Sequence, residues 1–509
     1  MAERAVARLD DIPDGGMQPV EIDGIKIVLI RLDGAVHALA GECPHAGAPL
    51  HEGAVCNGRL VCPWHSGTFQ ITDGALVEPP PMQPLTRYAV RVADGQVLVD
   101  PAGLPAPVPA RRDSAERRTA VLVGDGAAAA MAATSLREFG FRGRLLMIGP
   151  HAEEPIDRTL LSKQAMAGQS KLDELSLWDA AQRERLDVER VVAEVTALDA
   201  SAKRLECSDG TKMGYDLALV ATGGRPRRLE LPGSHLRGVF TLRHRADVAA
   251  ILGVTGDDAS AVVIGTSFIG MEAAGALTQK GLKVTVVGPE ELPFAKQFGP
   301  ELAAALRRLH ERKGVEFRLG TSVTRIEGDD AARAVLLRSG ERLATGIVLM
   351  GVGVQPVTEF VANVSKAEDG GILVDRHLRA ADGLYAAGDV AAFPGPDGNR
   401  LRIEHWRVAE QQGRTAARNM LGQDEPFARV PFFWTAQHDV VVDYVGHAAE
   451  WDEIVIDGDI GSFNFLAFYV KDGIVAAVAT AGRDRETALL SELMRQRLTL
   501  TALQEHLRR

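Results

Sequence analysis

The sequence is poor in cysteine. Its 509 residues contain four: Cys43, Cys56, Cys62 and Cys207. Four cannot staple a chain of this length, and the scarcity predicts a compartment where thiols stay reduced, the cytoplasm. There is no surplus of positive charge either. Lys and Arg number 57 against 68 Asp and Glu, for a net charge of −11. That argues against nucleic acid or an anionic membrane as partner, since both select basic patches. No apolar run approaches the roughly 18 residues that span a bilayer. The opening MAERAVARLDDIPDGG is charged where a secretory signal would be apolar. Short tandem repeats are absent.

What is present reads as several domains. Hydrophobic residues make up 46% and charged residues 25%, an ordinary globular balance. At roughly 100–200 residues per domain the length predicts three or four. Short β-like runs separated by Gly, Asp and Pro fill residues 1–105 and predict a small all-β domain. The tract PAGLPAPVPARRDSAERR follows, and its Pro and charge predict a linker over 106–118. AVLVGDG, an Ala-rich helix and RLLMIG then spell a βαβ unit, and AVVIGTSFIG with LKVTVVG spells a second. The fold expected is therefore multidomain: an all-β N-terminal domain, two Rossmann-like α/β domains, and a C-terminal α+β domain with an antiparallel sheet. Its boundaries are set at 119–240 and 357–425 for the first α/β domain, 241–356 for the second and 426–509 for the last.

Three of the four cysteines crowd into one segment, CPHAGAPLHEGAVCNGRLVCPWHSGT. It holds Cys43-x-His45 and, after sixteen intervening residues, Cys62-x-x-His65. Each loop offers one sulfur and one imidazole. A Rieske [2Fe–2S] centre needs that division, because two thiolates hold one iron and two imidazoles the other. A zinc site more commonly pairs Cys with Cys and His with His, so it is the weaker reading. Pro44, Gly47, Pro49, Pro63 and Gly67 suit tight loops. His51 reads as a surface residue and Cys56 as small packing.

Gly124-Asp125-Gly126-Ala127-Ala128-Ala129 follows a strand and opens a helix. Gly124 serves the tight turn, Gly126 lets backbone approach a pyrophosphate, and Ala129 takes the third fingerprint place. The acid that usually ends the second strand is missing. Gly149-Pro150 stands there, with Glu153 and Glu154 beyond. Gly265-Thr266-Ser267-Phe268-Ile269-Gly270 is a second fingerprint, with Ser267 in the middle glycine place. Ile269 rules out a hydrolase elbow, which needs glycine there. Gly288, Pro289 and Glu290 follow its second strand, and no Arg cluster waits for a 2′-phosphate, so NADH is favoured over NADPH.

The cluster segment resembles Rieske domains of the ferredoxin and oxygenase type. Members of high potential carry two further cysteines, whose positions here are Ala48 and Trp64, so the resemblance implies a low potential. Ala221-Thr222-Gly223 and Gly388-Asp389 resemble the later FAD motifs of two-dinucleotide flavoproteins. PIDRTLLSK, residues 155–163, then Glu404-His405-Trp406 and Pro431-Phe432-Phe433-Trp434 resemble the NADH:ferredoxin reductases of the apoptosis-inducing-factor-like group. The whole chain resembles Rieske-fused, apoptosis-inducing-factor-3-like oxidoreductases. That resemblance implies FAD contacts by Arg158, Lys163, Thr222, Gly223, Asp389, Glu404, His405, Trp406 and Trp434. It puts Glu272 near the nicotinamide, where it pairs with Lys163. The implied activity moves electrons from NAD(P)H through FAD to the cluster and on to an acceptor such as an oxygenase or cytochrome. A homodimer is compatible with it. The alternative is a redox-responsive signalling flavoprotein with slow NADH oxidation. Disulfide reduction is excluded, because Cys207 is the only cysteine after residue 62.

Overall fold

The computed structural model describes residues 3–104, 110–256, 259–395 and 398–508. Residues 106–109 of the expected linker lie outside them. Its remainder runs along the first α/β domain, with Ala110 N–H on the Arg137 carbonyl and Asp113 N–H on that of Arg142.

The N-terminal domain stacks two antiparallel sheets. The larger has six strands in the order Arg4–Arg8, Gln96–Gly103, Arg87–Ala93, Ala35–Ala40, Ile25–Leu32, Met17–Ile22. The smaller carries four: Ala54–Cys56, Arg59–Val61, Thr68–Gln70 and Leu76–Glu78. Val28, Ile30, Leu39, Leu60 and Phe69 make the core between them.

The first α/β domain has the strand order Glu189–Val192, Arg144–Gly149, Thr119–Val123, Leu217–Val220, Leu384–Ala386, Arg379–Ala381. All pairs are parallel except the last. Thr119–Val123 is buried on both faces after its first residue, which is why it reads as a continuous apolar run. Two chain segments build this sheet, and the second α/β domain is inserted between them. Its sheet is wholly parallel, in the order Val239–Phe240, Ile347–Met350, Ser260–Ile264, Lys283–Val287, Glu316–Arg318.

Phe432–Gln437, Val440–Gly446, Ile474–Ala481, Asn464–Lys471 and Glu453–Asp459 form the C-terminal antiparallel sheet. The helix of this α+β domain spans Asp484–Leu493. A second helix, Leu500–Leu507, was not anticipated, although Thr499 caps it by accepting from Ala502 N–H. No helix among the described residues is long and apolar enough to cross a membrane.

The long helix Trp406–Met420 holds the assembly together. Its Gly413 lies against the Ala127–Glu138 helix so closely that a Cβ there would stand 2.3 Å from the Ala128 carbonyl. Its other face takes the N-terminal domain. Arg407 donates to the Pro79 and Ser66 carbonyls, Arg414 to that of Leu76, and Gln411 to Glu78.

Candidate active site

A single cleft runs between the two α/β domains and the C-terminal sheet. Gly126, Arg158, Lys163, Gly223, Glu272, Gly388, Asp389, Glu404, His405, Trp406 and Trp434 all line it. Sequence positions from 126 to 434 thus converge on one surface. Gly124, Thr222, Gly265 and Ser267 do not line it but sit in the turns next to lining residues, and Ala129 and Gly270 in the first turns of the helices that follow.

The glycines are there for steric reasons. Gly124 has φ +121°, and a Cβ would lie 2.3 Å from the Ala221 carbonyl. Gly265 repeats this at φ +102°, with a Cβ 2.3 Å from the Gly351 carbonyl. The Ser267 hydroxyl accepts from Gly270 N–H at 3.2 Å, capping the Phe268–Gln279 helix, and its own proton stays available to donate.

The donor set fits a dinucleotide. The Arg158 guanidinium lies across Gly126 at the start of the Ala127–Glu138 helix, and its buried Nε has no protein partner. Burial, aided by Arg243, lowers Arg158 to about 10. A guanidinium short of partners beside a helix N-terminus is suited to a pyrophosphate. His405 Nδ1 and Trp406 Nε1 are also buried without partners. Burial, with His447 nearby, takes His405 down to about 3, so it is neutral at pH 7.

Asp125, in the middle of the first fingerprint, was missed. Its carboxylate covers Gly149, the place where an acid was sought: a Cβ on Gly149 would stand 2.5 Å from Asp125 Oδ2. His151 Nδ1 lies 2.7 Å from the same oxygen. Glu153 and Glu154 are instead engaged with Arg245, Arg183 and Arg190. Arg243 was also missed. It pairs with Asp389 at 3.4 Å and closes over Gly223. Lys163 and Glu272 do meet, at 2.9 Å.

The second fingerprint repeats the arrangement. Glu290 folds back over Gly288, with its carboxylate accepting from Thr266 Oγ1 at 2.9 Å. A carboxylate beyond the second strand suits a ribose 2′-hydroxyl and opposes a 2′-phosphate. Glu290→Arg is expected to lower kcat/KM for NADH by roughly ten- to a hundredfold and to raise it for NADPH, since a hydrogen bond to substrate and a charge conflict both change. Steady-state kinetics with each coenzyme checks this.

The cluster loops stand beside the cleft. Each closes on itself: Cys43 N–H donates to the Ala48 carbonyl and Cys62 N–H to that of Gly67. Gly47 at φ +74° and Ser66 at φ +54° make the returns. The two thiols lie within hydrogen-bonding reach of each other. His45 Nδ1 and His65 Nδ1 are 3.2 Å apart. Among the described residues, no three such side chains converge on a single ion. Two thiols facing and two imidazoles facing is the division a two-iron cluster needs and a zinc ion does not. Cys56 packs against the C-terminal core, and His51 lies near Glu52 at 4.0 Å.

The imidazole side of these loops faces the cleft. The His65 ring lies 4.3 Å from Trp434, centroid to centroid, and Trp434 itself lines the cleft. His45 Nε2 reaches Asp157 at 3.8 Å, one residue before Arg158.

Known proteins resemble this chain domain by domain. The pyridine nucleotide-disulphide oxidoreductase model matches residues 118–413. The chain belongs to that family. The Rieske [2Fe–2S] domain model matches residues 3–89, and the reductase C-terminal model 432–505. Human apoptosis-inducing factor 3 is 31% identical over 97% of this chain and 84% of its own length. The 5,5′-dehydrodivanillate O-demethylase ferredoxin reductase subunit of Sphingobium is 34% identical over 72% of this chain and 90% of its own. Among solved structures, the ferredoxin reductase for the CYP199A2 system of Rhodopseudomonas palustris superposes with a TM-score of 0.72 at 28% identity, covering 75% of this chain and 96% of that one. This oxidoreductase passes electrons from NAD(P)H through FAD to its Rieske cluster. It keeps no redox cysteine pair, despite the family's description: Cys207 is buried and free.

Proposed function

We propose that this flavoprotein reduces its own Rieske domain in place, within one chain, and that the acceptor beyond is an oxygenase or cytochrome component. The orientation of the cluster loops carries the reading: both imidazoles face the flavin cleft, one through Trp434 and one against Asp157. Such a domain stands in for the separate ferredoxin of a reductase system. NADH supplies the electron pair, and the scarcity of cysteine supports a cytoplasmic location.

Placement in and beside the cleft supports the following residue roles. Cys43 and Cys62 hold one iron, and His45 and His65 the other. Arg158 and the first turn of the Ala127–Glu138 helix hold the pyrophosphate of FAD, and Asp389, steadied by Arg243, holds its ribityl chain. The chemistry a flavin held there would supply is acceptance of a hydride and release of its electrons one at a time. Phe268, Phe433 and Trp434 keep water from the cleft, and Lys163 sets a positive charge at its edge.

Mixing two disabled chains tests transfer within one chain. Cys43→Ser removes the cluster and Gly124→Val blocks FAD. The mixture is expected to show no NADH-driven bleaching of the cluster carried by the Gly124→Val chain. Recovery of bleaching on mixing would overturn the reading.

The cluster potential is expected near the low end of the Rieske range, at about −150 mV. The loop positions Ala48 and Trp64 offer no sulfur, and the Asp157 carboxylate beside His45 favours the more positive, oxidised cluster. A dye-coupled redox titration measures it, and a midpoint above about 0 mV contradicts the assignment.

A further inference from the structure

Behind the cleft, Glu272 is the end of a buried polar chain that the flavin reading leaves unexplained. Its Oε2 accepts from Ser162 Oγ at 2.5 Å and Lys163 Nζ at 2.9 Å. Its Oε1 accepts from Thr435 Oγ1 at 2.7 Å. Thr435 Oγ1 in turn meets Gln437 Nε2 at 2.7 Å, and Gln437 Oε1 meets His310 Nε2 at 2.8 Å. His310 Nδ1 then lies 3.1 Å from His438 Nε2. Thr435, Gln437 and His310 are each 0% exposed, and His438 is partly exposed.

The direction of this chain is dictated by chemistry. A carboxylate only accepts, so Thr435 must donate to it. Thr435 must then accept from the Gln437 amide, which turns the Gln437 carbonyl to His310. His310 donates through Nε2, and its Nδ1 is left to accept from His438. Burial, with His438 beside it, lowers His310 to about 3, and burial with Lys313 nearby lowers His438 to about 4, so both rings are neutral at pH 7. Every donor points toward Glu272.

The cost argues for a purpose. Burying a Thr, a Gln and a His is unfavourable unless each is bonded, and an apolar set would pack with less penalty. The residues come from three places in the fold. Glu272 and His310 lie on helices of the second α/β domain, Thr435 and Gln437 on the first C-terminal strand, and Lys163 on the turn Leu161–Ala165 of the first α/β domain. Lys163 has one other anchor, the Thr159 carbonyl at 3.0 Å.

We propose that Thr435, Gln437 and His310 are positioning residues of the nicotinamide–flavin site: a one-way chain of donors that anchors Glu272 and, through it, aims the Lys163 ammonium into the cleft. This rests on the cleft holding flavin. Reduction adds negative charge to flavin, so an ammonium held at its edge favours the reduced form. Loosening the anchor lowers the flavin potential without changing any residue that touches the cofactor.

Thr435→Val keeps the shape of the side chain and removes the hydroxyl. It is expected to shift the equilibrium tenfold against reduced flavin, a fall of about 30 mV for this two-electron couple. Thr435→Ser restores the hydroxyl and is expected to stay at the wild-type potential. Gln437→Leu, which does not touch Glu272, is expected to lower the potential as well. Each protein is first assayed for bound FAD after denaturation. Wild-type protein without FAD would refute the flavin reading itself. FAD-loaded Thr435→Val and Gln437→Leu at the wild-type potential, or a fall as large in Thr435→Ser, would overturn the positioning role alone.

Discussion

Cys62→Ser is expected to abolish the Rieske paramagnetic signal while NADH still reduces the flavin at close to the wild-type rate. Cys62 is 1% exposed and lies in a loop closed by its own N–H to Gly67. A hydroxyl in its place is a hard, weakly acidic donor that does not replace thiolate on iron. The flavin cleft draws no lining residue from the N-terminal domain. The two redox centres should therefore separate cleanly: reduction of an acceptor that depends on the cluster falls at least a hundredfold, and NADH-driven flavin bleaching changes less than twofold. Rapid-scanning stopped-flow with electron paramagnetic resonance on frozen samples reads both.

Glu78→Ala is expected to release the Rieske domain from the flavin. Glu78 is 1% exposed, and its Oε1 meets Arg495 at 2.7 Å and Arg429 at 3.0 Å. Gln411 donates to the other oxygen, and Arg407 lies close enough to act on its charge. These partners belong to the first α/β and C-terminal domains, so one carboxylate ties three domains together. Its removal leaves Arg429 with Glu425 alone and Arg495 with Glu492 alone, at a cost of about 3 kcal/mol for the broken part of the network. Transfer to the cluster should then slow at least a hundredfold. The charge also predicts an acid limit. Burial opposes ionisation of Glu78, but Arg429, Arg407 and Arg495 outweigh it and hold the carboxyl at about 2 against an ordinary 4.5. A folded value below the free one stabilises docking above the free value, so this contribution is full above pH 4.5 and is lost as the pH falls toward about 2. Small-angle scattering across that window should show the wild-type chain extending on acidification, and Glu78→Ala already extended at pH 7.

The parts of this molecule that were legible in the sequence are those encoded over short stretches. Cys43-x-His45 and Cys62-x-x-His65 each deliver their ligands from one loop, and the Gly124 and Gly265 turns announce themselves by strand, glycine and helix in series. The cleft's lining could be named in advance because PIDRTLLSK, Glu404-His405-Trp406 and Pro431-Phe432-Phe433-Trp434 carry a family resemblance. What joins those parts was not legible. Asp157 comes to His45, Thr435 to Glu272, and Arg495 to Glu78 only through tertiary packing, across 112, 163 and 417 residues. Charged and hydroxyl side chains such as these read as surface residues until the fold buries them. Asp125 is different, because a signal existed. An acid inside Gly-x-Gly, with glycine where the usual acid ends the next strand, is a compensating exchange, and the pattern could have been weighed. The Leu500–Leu507 helix had a capping threonine but too few turns to stand out from sequence alone.

Anaerobic mixing with NADH, repeated over a tenfold range of enzyme concentration while the cluster absorbance is followed, bears most directly on transfer inside one chain. A fixed docking predicts cluster bleaching with a first-order rate that does not change with enzyme concentration. Bleaching that accelerates in proportion to enzyme, or a cluster that stays oxidised beside fully reduced flavin, would contradict it.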